Sequence, residues 1–95
     1  MTSHRKITVE EAESVALQAF SFIAGDEERL SRFLQITGLQ SQTIRSAASS
    51  PDFYAAILDY VAADEPLLLA AAQALKTKPE HIMQAKWTLS PLEFE

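Results

Sequence analysis

Carboxylates are the most numerous side chains with obvious chemistry in this 95-residue chain, thirteen in all. Glu10, Glu11, Asp26, Glu27, Glu28, Asp64 and Glu65 stand where helices are expected to begin. A carboxylate there caps free N–H groups or complements the helix dipole, which accounts for each of them without catalysis. A general acid–base pair needs two carboxyl groups in one pocket, and no spacing indicates one. His4 lies ahead of the first expected helix and His81 in the first turn of the last. Neither has a second histidine or a carboxylate at ligand spacing on its own helix face. Serines are plentiful, but no Gly-x-Ser-x-Gly elbow presents one and neither histidine is placed as its base. Gly25 and Gly38 are isolated, so there is no glycine-rich phosphate loop. Without cysteine there is no thiolate nucleophile, zinc–thiolate site or disulfide framework. The expectation is a protein that is not an enzyme and uses no metal or cofactor.

Two other groups of residues could act through binding. Arg29, Arg32 and Arg45 flank the Gly38 turn and could touch phosphate or an acidic partner. Pairing with Asp26, Glu28 and other surface acids explains them more simply, and exposed pairs contribute only about 0–1 kcal/mol each. The second group is apolar. Leu17, Leu69 and the i,i+4 pair Met83–Trp87 fall off the core-facing sides of their helices. Covered by neighbouring helices they are core; left in water they form an interaction patch. Tryptophan is a frequent interface anchor and methionine adapts to irregular surfaces. Leu69, Met83 and Trp87 are therefore the candidate contacts for a protein partner or a homodimer. Leu92 and Phe94 would either cover that ridge or enlarge it.

The elements that must position these residues are all helical. Thr8-Val9-Glu10-Glu11 reads as a capping box opening a helix to about Ala24. Its apolar side carries Val9, Ala12, Val15, Ala16, Ala19, Phe20, Phe22 and Ile23. Gly25 is expected to end it as a left-handed C′ residue, with Asp26 capping the next helix. That helix turns Leu30, Phe33 and Leu34 inward and stops at Gly38, with Leu39 folding back. A short helix follows from Ser41 to about Ala48, anchored by Ile44. Ser50-Pro51 restarts the chain, and Phe53, Ile57, Tyr60 and Val61 keep helical spacing. Asp64-Glu65-Pro66 opens the richest stretch, Leu67 to Leu75, which is apolar nearly all round and is expected at the middle of the bundle. The last helix, about Pro79 to Thr88, faces Ile82, Ala85 and Leu89 to one side.

Composition agrees. Hydrophobic content of 47% and charged content of 22% are globular values for a chain with room for one core. Two glycines and four prolines are too few for a sandwich or barrel with many tight turns. No apolar stretch reaches the roughly 20 residues of a membrane span, and no apolar run precedes Glu10 as a signal peptide would require. The net charge of −5 disfavours nucleic acid, whose binding needs a basic face.

Arg32-Phe33-Leu34-Gln35-Ile36-Thr37-Gly38-Leu39, Ile44-Arg45, Phe53, Leu58-Asp59-Tyr60 and Asp64-Glu65-Pro66-Leu67-Leu68 together resemble a set of short alphaproteobacterial proteins catalogued as a domain of unknown function. The resemblance spans roughly residues 12–76. It implies a small, cytoplasmic, bacterial helical protein and supplies no activity. The expected structure is one all-α domain over 1–95: five main helices plus one short one, packed around the helix near 65–76, with 1–7 and 90–95 as flexible tails. The expected role is a non-enzymatic interaction or adaptor module, self-association included. The alternatives are a helix-turn-helix-like nucleic-acid binder using Arg29, Arg32 and Arg45, and a small-molecule carrier with a pocket among Phe20, Phe33 and Phe53.

Overall fold

Four of the helix starts are fixed by the side chains that local chemistry nominates. The Glu11 amide donates to Thr8 Oγ1 and the Thr8 amide donates to Glu11 Oε1, both at 3.0 Å, closing the capping box. Asp26 Oδ1 accepts from the amides of Glu28 and Arg29 at 2.9 and 3.3 Å. Ser50 Oγ accepts from the Asp52 amide, and Asp64 Oδ1 from the Leu67 amide, each at 3.2 Å. In the computed structural model, which describes residues 7–47 and 50–89, the elements are α1 (Val9–Ala24), α2 (Glu27–Thr37), α3 (Ser41–Ala47), α4 (Pro51–Ala62), α5 (Glu65–Ala74) and α6 (Pro79–Leu89). The described residues contain no strand. The chain is the all-α bundle that the sequence implies. The expected tails fall outside the described residues except for Ile7, which is half-buried against the core.

The bundle is centred on α1, α4 and α6, which pack against one another most extensively. Ala12, Ala16 and Ala19 are fully buried on α1, and their small side chains let the neighbouring backbones come close. Ile57, Leu58 and Val61 of α4 and Ile82 and Ala85 of α6 complete this centre, all without solvent exposure. An aromatic row runs beside it. Phe53 meets Phe20 at a centroid distance of 5.4 Å, Phe20 meets Phe33 at 5.9 Å, and Phe33 meets Tyr60 at 5.0 Å, all edge to face.

The central place expected for the 65–76 helix goes to α1, α4 and α6 instead. On α5 only Leu68, Ala71 and Ala72 are buried; Leu67 and Leu75 are half-buried and Leu69 is 50% exposed. Alanines fill most of the buried side of α5, whereas α4 and α6 bring larger residues inward, so more apolar area is removed from water around them. Val9, assigned to the apolar side of α1, is also exposed.

The two glycines end their helices differently. Gly38 has φ +77° and its N–H donates to the Leu34 carbonyl at 2.9 Å, the single-bond left-handed stop. Gly25 keeps a right-handed φ of −74°, with its N–H donating to the carbonyls of Ser21 and Phe22 at 3.0 and 3.3 Å. The left-handed conformation expected at Gly25 is not adopted, because Asp26 enters its extended N-cap geometry directly after one more right-handed residue.

Candidate functional site

Where α5 ends, its backbone builds a left-handed stop without glycine. Lys76 has φ +57°; its N–H donates to the Gln73 carbonyl at 3.1 Å, and the Thr77 N–H reaches the Ala72 carbonyl at 2.9 Å. This Schellman pair turns the chain so that α6 starts at Pro79 beside α5. Leu69, Ala70, Ala72, Gln73, Thr77 and Pro79 line a groove across that junction. Pro79, Met83 and Trp87 then succeed one another at intervals of four along α6, which keeps them near one stripe.

Of the three candidate contacts, Leu69 and Trp87 are in water, Trp87 at 62% exposure, and Met83 is half-buried against the core. Met83 therefore belongs to the edge of the core more than it presents a surface of its own. Lys86 beside Trp87 reaches the Asp59 carboxylate at 3.6 Å. Leu17 is 46% exposed and lines a separate groove with Gln18, Phe22, Ala74 and Leu75, between α1 and the end of α5. Ile36, 66% exposed, was not among the expected surface residues. It lies roughly a third of a turn from the Leu30–Phe33–Leu34 stripe, so the helical period alone would have marked it.

The arginines are divided. Arg29 and Arg32 of α2 share a cleft of about 340 Å³ with Ile23, Tyr60, Asp64, Pro66, Leu67 and Ala70. The Arg29 guanidinium stands 4.3 Å from the Phe22 ring centroid and 3.7 Å from the Asp26 carboxylate. Burial pushes the Tyr60 phenol pKa up; nearby Arg32 opposes that and Asp64 reinforces it. Arg45 is exposed on α3 and does not line this cleft, so the arginine trio behind the helix-turn-helix expectation is not assembled there. The carrier expectation meets a packed row: Phe20, Phe33 and Phe53 fill the space between their helices with ring-to-ring contacts.

Among the described residues, no group of three or more His, Cys, Asp or Glu side chains gathers as a metal site. Nor is any helix among them long and apolar enough to cross a membrane. Over residues 9–92 the sequence matches the profile of a family described as a protein of unknown function, DUF3572. No curated protein and no solved structure matches the chain.

Proposed function

The chain belongs to the DUF3572 family, and we propose that it works as a non-enzymatic protein-interaction module, through the α5–α6 face and with a second copy of itself as the occupant. The observation that carries this reading is Trp87, held 62% in water on a helix whose inner side is already satisfied by Ile82 and Ala85. Leu69 and Pro79 line the groove at the junction, about two turns along α6 from Trp87. An exposed tryptophan is the kind of residue that anchors interfaces. Lys86 beside Trp87 is paired with Asp59 and so does not add an unpaired charge at the tryptophan itself. The chain as a whole carries a net charge of −5, which opposes association until salt screens it. The lack of cysteine suits a reducing compartment such as the cytoplasm.

Sedimentation velocity from micromolar to millimolar protein, at low and high salt, tests the reading. The expected result is a dimer that grows with concentration, strengthens with salt and is lost in Trp87→Ser. A monomer under every condition, with tryptophan emission still typical of water, would remove it. The nucleic-acid reading has less support, since of Arg29, Arg32 and Arg45 the first two share a cleft that Arg45 does not line, on an acidic chain.

A further inference from the structure

The cleft between α2, α4 and α5 combines an apolar floor with polar groups that have little else to do. Pro66, Leu67 and Ala70 supply the floor. Arg32 makes no ion pair or hydrogen bond with another described residue, and the Tyr60 hydroxyl has no hydrogen-bond partner among them. Tyr60 is held in place by its ring, which meets Phe33 edge to face at 5.0 Å. Arg29 lines the same space but is already engaged by Asp26 and the Phe22 ring. A volume of about 340 Å³ falls at the small end of the pockets that hold small molecules, about 300–1,000 Å³.

We propose that this cleft binds a small monocarboxylic acid with an apolar body, the carboxylate on Arg32 and Tyr60 and the body on Leu67 and Ala70. A guanidinium presents a planar fork of N–H donors that matches a carboxylate, and a phenol can add one further donor. Asp64 limits the charge that fits. Its Oδ1 is taken by the Leu67 amide at 3.2 Å, but its negative charge faces the same space and would repel a dianion such as phosphate. The apolar floor separates the site from a bare cationic patch, which would bind any anion equally. This site shares Ala70 with the groove at the α5–α6 junction but none of Leu69, Met83 or Trp87, and it does not depend on self-association.

The test is a titration of the full chain with hexanoate, hexanol and inorganic phosphate, followed by amide chemical shifts in two-dimensional NMR. Hexanoate should shift Arg32, Leu67 and Ala70 saturably, and hexanol and phosphate should each bind at least about tenfold more weakly. Arg32→Gln should weaken hexanoate by about tenfold, the loss of one charge-assisted hydrogen bond, with its unfolding transition unchanged because Arg32 is exposed. Arg45→Gln should leave binding as it is. Absence of saturable shifts with hexanoate, equal binding of hexanol or of phosphate, or an unaltered Arg32→Gln would each overturn the proposal.

Discussion

Tyr60 presents its ring to Phe33 almost at a right angle, 87° between planes, with centroids 5.0 Å apart. Phe33 is the one buried residue of α2, so this contact and the one with Phe20 hold that helix to the bundle. Leu30 and Leu34 are only half-buried beside it. Phe33→Ala should cost about 3–5 kcal/mol, a large share of the roughly 5–15 kcal/mol a domain of this size has. Urea denaturation measures it. A loss under about 1 kcal/mol would show that Leu30 and Leu34 hold α2 unaided.

The same tyrosine makes stability fall in alkali. Burial raises the Tyr60 pKa in the folded chain above the ordinary tyrosine value of about 10 that applies when it is unfolded. The folded state then keeps the proton that the unfolded state releases. Its contribution is fully present below the unfolded pKa and is lost as pH rises through that value towards the folded one. Tyr60→Phe removes this titration, so its stability should fall less steeply than wild type above about pH 10. Parallel slopes for the two proteins in that range would contradict the assignment.

Gly38 and Gly25 make a matched pair. A Cβ at Gly38 would meet nothing within 4 Å, but the φ of +77° is strained for any L side chain. Gly38→Ala should destabilise by about 1 kcal/mol or more through the backbone alone. At Gly25 the φ is −74° and the nearest atom to a new Cβ is the Ser21 carbonyl oxygen at 3.4 Å, an ordinary contact. Gly25→Ala should therefore be neutral or stabilising by up to about 1 kcal/mol, since it restricts the unfolded chain. Thermal melts of both variants check the opposite signs, and a shared sign would refute the distinction.

Which features were legible from sequence follows from their range. Thr8, Asp26, Ser50 and Asp64 cap the helices that follow them because a cap needs only its own next few amides. Trp87 and Leu69 were legible as surface residues because the helical period separates them from Ile82 and Leu68. The middle of the bundle was not legible from Leu67-Leu68-Leu69. A run that points three ways does not say how many of its sides have neighbours, and α5 has them mainly on one. The Arg32–Tyr60 cleft was hidden for a related reason: its lining comes from four helices and the residues that cap α5, with no motif along the chain.

That displacement of the centre changes where stability should reside. Ile82 is fully buried on α6 between α1 and α4, and Ile82→Ala should cost about 2–5 kcal/mol. Leu68, 9% exposed on the flanking α5, should fall in the lower part of the same range. Leu69→Ala should stay within about 0.5 kcal/mol of wild type, because its side chain is half in water. Denaturation midpoints give the order directly. Leu68→Ala costing more than Ile82→Ala would return α5 to the centre.

Lys76 offers a substitution expected to improve the fold by relieving a single strained backbone position. It adopts φ +57°, the left-handed conformation that glycine takes without a Cβ penalty. The stop is otherwise well made, with the Lys76 and Thr77 amides donating to the Gln73 and Ala72 carbonyls at 3.1 and 2.9 Å. The lysine side chain is exposed and makes no ion pair among the described residues, so little packing is lost on its removal. Left-handed backbone costs an ordinary L residue roughly 1–2 kcal/mol, while glycine adds unfolded-state entropy that returns part of the gain. Lys76→Gly should thus raise stability by about 0.5–1 kcal/mol. Lys76→Asn should gain less, since asparagine tolerates the conformation only partly. Chemical denaturation of the three proteins should rank glycine first, asparagine second and lysine last. A glycine variant less stable than wild type would mean that the chain does not turn through a left-handed residue at position 76.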